Sequence, residues 1–437
     1  MSHAALQRLQ TKRLRTSLSL AYERTRLYRR KFKEAGIRPS DIKTIDDLVK
    51  IPFSTKKEIA EDYMAPVAEK VSVWHTTSGT SGSPTIVGFS KIDMENQILL
   101  EERNLRIAGV TERDVVHNVT PYGMFFAGTC LHDAARRIGA TVIPAGKMPT
   151  SKQQALIVDL FKPTAIVGVP QFILKLSYTY EEEYGKDPAK ASLRKAYALG
   201  EPLPEPVRKK IEDRWNLDLR IGYGLTEAGS GAECEEKNGV HWGEDQSLAE
   251  IVDPETGERV GEGEEGEVIF TTLTRTGTIA IRFRSNDETR AIAEECSCGR
   301  TLIRLLPPKY RFDDLVKIRG TLTSPYAIDG AIFGYPEIRN YLFVVEKDRT
   351  GVIDQIKIFL EATRQDPKTV DSLSQKLGGG ICVSPNFIRY VPIGSIPTIG
   401  RKEARFVDLR KETPYRSFIR DFMTRHNKTS TSSEGLE

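Results

Sequence analysis

Between Lys91 and Tyr223 the chain repeats one pattern, a short apolar run followed by a longer stretch with helical spacing. The runs at 115–119, 140–144, 165–169, 196–199 and 217–223 read as strands, and 94–106, 131–137, 151–161, 171–184 and 204–215 as helices. Strands that alternate with helices of about ten to fifteen residues build strand–helix–strand units, hence a largely parallel sheet with both faces covered. Ligands of such sheets bind beyond the carboxyl ends of the strands. Those ends carry Tyr122-Gly123, Gly168-Val169-Pro170, Gly200-Glu201-Pro202 and Tyr223-Gly224-Leu225-Thr226-Glu227, so small, polar and carboxylate residues collect where a site is expected.

The flanks differ in character. Residues 1 to about 37 have apolar residues at three- and four-residue steps with arginines between them, which is a helical spacing with a solvated basic face. Residues 247–284 alternate apolar and polar side chains and are broken by the turns at 253–257 and 261–263, the pattern of a β-rich unit. The segment 310–320 interleaves charged and apolar residues, as an exposed hinge between domains does. Beyond it, helices at 325–333 and 367–377 and strands at 341–346, 355–361 and 387–390 make a small α+β domain, followed by a Ser/Thr-rich tail expected to be disordered. A chain of 437 residues is too long for one core. The expected fold class is therefore α/β: a large N-terminal domain of mostly parallel sheet with a β-rich part at about 247–310 (residues 1–310), a hinge, a small mobile domain (311–425) and the tail (426–437).

One stretch stands out by its chemistry. Thr76 to Thr85 holds only Ser, Thr, Gly and Pro, between an apolar approach (71–74) and an apolar exit (86–89), which describes a polar hairpin between two strands. Glycines let the backbone come close to a ligand, and hydroxyls with free N–H groups suit the phosphates of a nucleotide. On composition alone an ordinary Ser/Gly surface loop fits equally well. It is not the G-x-x-x-x-G-K-[ST] loop, because the lysine is absent and no helix signal follows.

Bulk charge points to no nucleic-acid partner: 64 basic against 60 acidic side chains give a net charge of +4 without a dominant field. No run approaches the roughly 18 apolar residues of a membrane span, and no secretory leader pattern opens the chain, so no membrane partner and a cytoplasmic location are expected. Five cysteines, an odd number, make no disulfide framework. Their spacing is more telling. Cys296-Ser297-Cys298-Gly299 is a tight pair, and Cys234 and His241 follow the Thr-Glu dipeptide; three thiolates and an imidazole suit a closed structural Zn²⁺ site. The rival reading is a set of ordinary reduced cysteines and a surface histidine. Cys130 and Cys382 read as small apolar core residues.

Taken together, Thr77 to Thr85, Tyr223-Gly224-Leu225-Thr226-Glu227, Arg282 to Asp287, Arg311 to Asp314 with Ile318-Arg319-Gly320, and the segment 397–405 follow the order of motifs in adenylate-forming enzymes. Within them the chain resembles phenylacetate–coenzyme A ligases, to which Arg26-Leu27-Tyr28, Ile51 to Lys56 and Thr271 to Arg275 are also similar. The resemblance runs from about residue 20 to about residue 410. It departs from the pattern at Ser81 and Ser83, where relatives usually have Thr and Lys, at Arg401, where Gly is usual, and at Tyr310.

The resemblance implies ATP, Mg²⁺ and coenzyme A as cofactors, and roles for particular residues. Ser78, Gly79, Thr80, Ser81 and Gly82 would cover the phosphates. Thr226 and Glu227 would sit at the α-phosphate, Glu227 holding Mg²⁺. Gly200, Glu201, Pro202 and Tyr223 would line the adenine, with Gly224 and Arg311 among the nucleotide contacts, and Asp287 would accept the ribose hydroxyls. Lys402 would be the cation of the adenylation step, and Asp313 the hinge. From the residues themselves, Tyr122, Phe125, Phe126, Ala127, Gly128, Val169 and Pro170 could form an aromatic slot for the acid, although such a cluster is more often core. The implied partners are a small carboxylic acid, ATP, and coenzyme A or a carrier protein, with a homodimer as an assembly. Three functions stay open: an aryl acid–coenzyme A ligase, an adenylating enzyme that serves a carrier protein or an amine, and a non-catalytic nucleotide-binding relative.

Overall fold

The run Ala-Ile-Val-Gly at 165–168 is buried at every residue, which suits a strand covered on both faces and nothing exposed. It lies inside the central sheet of the protein, whose computed structural model describes residues 1–62, 70–77, 85–146, 149–381, 383–397 and 405–427. Ser78, Gly79, Thr80, Ser81, Gly82, Cys382, Lys402 and the tail from 428 lie outside the described residues. The chain packs as two compact units, one of Met1–Leu203 with Ile211–Phe312, the other of Pro204–Lys210 with Asp313–Glu437.

In the larger unit, β1 (Val71–Thr76) and β2 (Ile86–Ser90) form an antiparallel pair that flanks the polar stretch. The central sheet holds β3 (Val115–Asn118), β4 (Thr141–Ile143), β5 (Ala165–Gly168), β6 (Lys195–Leu199), β7 (Asp218–Leu225), β8 (Gly229–Glu233), β9 (Val240–Trp242), β10 (Ser247–Val252), β11 (Glu265–Thr272), β12 (Phe283–Ile292) and β13 (Arg304–Leu305). Its order is β10-β11-β12-β13-β9-β8-β7-β6-β5-β3-β4. From β4 to β7 every pairing is parallel; from β7 to β10 every pairing is antiparallel. The β-rich part is thus continuous with the parallel part in one mixed sheet. Periodicity does not show this, because the joining strands β8, β9 and β13 are short and carry no readable alternation.

The expected elements between 91 and 223 appear with shifts at their ends. The helix Lys91–Ile107 starts earlier than its apolar pattern because Ser90 and Asp93 form a reciprocal capping box. The helix expected at 131–137 runs over Phe126–Ile138 and so already includes Phe126, Ala127 and Gly128. The N-terminal helical stretch is two helices, His3–Arg24 and Arg26–Glu34. Thr25 divides them: its backbone is extended, and its hydroxyl accepts from the Tyr28 N–H (3.1 Å) while donating to the Ala21 carbonyl (2.8 Å). These helices pack Leu14, Leu18, Tyr28 and Phe32 against Leu273, Ile279, Ile281 and Phe283.

The smaller unit has a hairpin of β14 (Val316–Ile318) and β15 (Thr321–Thr323), and a sheet of β16 (Ile338–Lys347), β17 (Asp354–Ala362), β18 (Phe387–Tyr390) and β19 (Phe406–Asp408) in the order β18-β17-β16-β19. Its core joins Leu342, Val344 and Phe359 with Ile419 and Phe422 of the closing helix Arg416–Asn427. His426 and Asn427, expected in a disordered tail, complete that helix, and the His426 ring packs 4.6 Å from Phe422.

Candidate functional site

At Leu199↔Gly222 the last parallel pair, β6 and β7, closes, and the chain then reverses through a tight hairpin into β8, with Leu225 opposite Gly229. Thr226 and Glu227 sit in that turn. β7 needs small residues here: a Cβ on Gly222 would lie 2.4 Å from the Tyr197 hydroxyl, and one on Gly224 would lie 2.7 Å from the Gly229 carbonyl. The hairpin is held from behind by a buried polar network. Glu101 accepts from the Ser230 hydroxyl (2.6 Å) and from Gln97 Nε2 (3.1 Å) and Asn104 Nδ2 (3.2 Å), and burial raises its pKa despite those bonds.

Glu227 is buried, and desolvation, opposed by Lys56, Arg311 and Arg275, raises its carboxyl pKa. Lys56 Nζ stands 3.8 Å from Oε1. A buried carboxylate with so loose a partner suits a bound cation, and it fits Mg²⁺ by the oxygen preference of that ion.

A second group lies where β12 breaks its register with β11 between Glu267 and Ile269. Asn286 adopts a left-handed backbone (φ 61°), the Asp287 N–H donates to Ser285 Oγ (3.0 Å), and the bulge re-aims the aspartate. Asp287 Oδ2 then accepts from the Tyr223 hydroxyl (2.7 Å) and Oδ1 from Arg311 Nη1 (3.1 Å). Burial first, and the neighbouring Asp287 second, push the Tyr223 phenol well above its ordinary pKa, so it stays a donor. Tyr223, Asp287 and Arg311 are therefore brought together. Gly200 (φ 87°) follows β6, and a Cβ there would contact Val169 Cγ1 at 3.5 Å, so the expected adenine and acid residues adjoin each other at neighbouring strand ends. Glu201 and Pro202 continue from Gly200, and Pro170 opens the helix Pro170–Tyr184.

The expected acid slot divides. Phe126 stacks on Phe89 at 5.2 Å and meets the His75 ring edge-on at 5.6 Å. The Tyr122 hydroxyl accepts from Asn118 Nδ2 (2.9 Å) and contacts His132 Nδ1 (3.3 Å). Phe125 caps the helix that starts at Phe126. Ala127 instead packs on the core around Leu131 and Ala134, and a Cβ on Gly128 would lie 2.3 Å from the Pro121 carbonyl. Both lie in the first turn of the helix Phe126–Ile138, which begins more than a turn earlier than the pattern implies.

Three residues given no role from the sequence belong here: Lys56, His75 and Arg275. The Arg275 guanidinium lies over the Phe89 ring at 3.9 Å, and Nη2 donates to the Thr226 carbonyl (3.3 Å) and to Gln97 Oε1 (3.0 Å). His75 Nδ1 faces the Met124 carbonyl at 3.3 Å, and burial lowers its pKa. A signal for Lys56 and Arg275 is present in the motifs that contain them, but only the fold turns both toward the Thr226–Glu227 turn.

On the other end of β8, Cys234, His241, Cys296 and Cys298 place their ligand atoms within 4.8 Å of one another. Cys234 Sγ is 3.8 Å from Cys296 Sγ, and Cys298 Sγ is 3.4 Å from His241 Nε2. Thiolates around a tetrahedral Zn²⁺, at Zn–S near 2.3 Å, stand ~3.8 Å apart, so the donor set fits that ion. Cys130 is a buried core residue. Among the described residues no helix is long and apolar enough to cross a membrane.

The chain as a whole matches known proteins. A profile of AMP-binding enzymes covers residues 7–274, more than half of the chain, and the chain belongs to that family. Within it, the phenylacetate–coenzyme A ligase of Escherichia coli is 35% identical over 421 residues, 93% of this chain and 95% of that protein. The phenylacetate–coenzyme A ligase of Thermus thermophilus is 35% identical over 366 residues, 82% of each. A structure of 2-hydroxyisobutyryl-CoA ligase in the postadenylation state shares the fold with a TM-score of 0.83 at 24% identity, over 97% of this chain and 93% of that one. The chain is an AMP-forming acid–thiol ligase by family.

Proposed function

We propose that the protein activates an aryl acid of the phenylacetate class and passes it to coenzyme A. The observation that carries this reading is the joining of Tyr223, Asp287 and Arg311 beside Glu227 at the parallel-strand ends, in a chain whose relatives are phenylacetate–coenzyme A ligases. A carboxylate oxygen of the acid attacks the α-phosphorus of ATP, and the bond to pyrophosphate breaks. The thiol sulfur of coenzyme A, losing its proton, then attacks the acyl carbon, and AMP leaves.

Each residue has a task in these steps. Asp287 offers its two acceptor oxygens to the ribose hydroxyls while Tyr223 and Arg311 fix its orientation. Thr226 sits at the α-phosphate, and Gly200, Glu201 and Pro202 form the walls around the base, with Gly224 among the nucleotide contacts. Glu227 would hold Mg²⁺, which when bound neutralises phosphate charge. Ser78, Gly79, Thr80, Ser81 and Gly82 cover the phosphates, and Lys402 supplies the cation for adenylation as a compact point charge. Phe126 and Tyr122, with Phe125, Val169 and Pro170, line the acid side. Asp313, the first residue of the smaller unit after Phe312, is the hinge. Cys234, His241, Cys296 and Cys298 would hold a structural Zn²⁺; four protein ligands would leave no open position, so the ion would take no part in the chemistry.

Pyrophosphate release from ATP, measured with a panel of aryl acids and with coenzyme A, a carrier protein or an amine as acceptor, tests the reading. Thioester formation with coenzyme A is expected, and a Lys402→Ala variant should lose at least about 100-fold in adenylation rate. Adenylate formation without any coenzyme A thioester would favour the carrier-protein or amine acceptor instead.

A further inference from the structure

Arg275 combines two properties that conflict unless something binds it. It is 5% exposed, and among the described residues it has no carboxylate within ion-pair distance: Nη2 is spent on two neutral oxygens, those of Thr226 and Gln97, and Nη1 is buried without a hydrogen-bond partner. Burying a cation with no carboxylate in direct contact and leaving one of its donors unpaired are both costly. Such an arrangement persists where a ligand completes it.

The surroundings say which ligand. One face of the guanidinium is covered by Phe89, whose ring stacks on Phe126 of the aromatic wall. The bond from Nη2 to the Thr226 carbonyl places the group beside the residue that meets the α-phosphate in the proposed reaction. The Asp287 and Arg311 cluster marks the ribose side, whereas Arg275 stands on the aromatic side of Thr226. An aryl acid with its ring against Phe126 would put its carboxylate at the unpaired donor, next to the phosphorus it must attack. A planar guanidinium with one end anchored is suited to hold a carboxylate in a fixed direction.

We infer that Arg275 is the residue that binds the carboxylate of the acid substrate and orients it toward the α-phosphate, an inference that rests on the function proposed above. The carboxylate loses its charge when the adenylate forms. Arg275 therefore favours the free acid over the acyl-adenylate, and its removal should affect the two unequally.

The test uses the full chain and the aryl acid that the wild-type enzyme turns over fastest. In Arg275→Gln, the KM for that acid should rise about 10- to 100-fold, while the KM for ATP and the Kd of the corresponding non-hydrolysable acyl-sulfamoyl adenosine change less than about threefold. That analogue has no carboxylate but fills the same slot, so a merely structural role for Arg275 would weaken both ligands alike. Arg275→Lys keeps the charge and loses the fork, and should raise the KM for the acid by an intermediate factor; it carries the test if the Gln variant does not fold. An unchanged KM for the acid, or a loss of affinity for AMP and the analogue equal to that for the acid, overturns the inference while leaving the ligase reading intact. A wild-type enzyme inert with every acid would overturn both.

Discussion

Glu227 shows what a site residue costs the fold that carries it. Burial raises its carboxyl pKa, and Lys56, at 3.8 Å, is too far for a hydrogen bond. The folded chain therefore keeps this proton to a higher pH than the unfolded chain does. The contribution of this group to stability is most favourable at low pH and falls as pH rises through the interval between the ordinary glutamate value and the raised one. Glu227→Gln removes the ionisation. At pH 8 the variant should melt a few degrees higher, corresponding to roughly 1 kcal/mol, and the gain should vanish as pH falls toward about 4.3. Calorimetric melting of both proteins across that range checks it; a variant less stable than wild type at pH 8 would refute the reading. Adenylation by the variant should nevertheless drop, since the cation site has lost its charge.

At the scale of elements, β8 is a short strand with an anchor at each end. One end is the Thr226–Glu227 turn, held by Ser230 on the buried Glu101. The other runs into Cys234, which meets Cys296 from the β12–β13 connection, while His241 on β9 pairs with Arg304 of β13. A zinc ion there would tie three connections of the antiparallel half to the strand that begins at the Glu227 turn. Metal analysis should find about one zinc per chain, and Cys296→Ser should lose most of it together with several degrees of melting temperature. Stoichiometric absence of zinc from the wild type, with no effect of a chelator on melting, would remove the metal from the account and leave four ordinary side chains.

For the whole molecule, the boundary between compact units falls between Phe312 and Asp313, within the short helical turn Phe312–Asp314. If the smaller unit turns about Asp313 between adenylation and thioester formation, fixing φ there should separate the half-reactions. Asp313→Pro should release pyrophosphate within about threefold of the wild-type rate and form the coenzyme A thioester at least about 10-fold more slowly. Single-turnover measurements of both steps decide it, and equal loss in both would rule out a hinge at this residue.

Much of this architecture is legible from the chain alone. The parallel half follows from local periodicity, since β5 and the centre of β6 are buried apolar runs between helices of ordinary length, and helix starts carry their own cap chemistry, as Ser90 with Asp93 shows. The four zinc-type ligands are visible as residue types, because C-x-C is a local pattern. What the sequence determined by itself is therefore whatever depends on neighbours along the chain. Tertiary structure alone decided the rest: that the two halves are one sheet joined through β8, β9 and β13, that a bulge at Asn286 turns Asp287 to Tyr223 and Arg311, and that Arg275 reaches Thr226 from far along the sequence. The physical reason is that burial and unpaired hydrogen-bonding groups are properties of a three-dimensional environment. A motif can name Arg275, but only the packed fold surrounds its guanidinium and leaves one donor waiting.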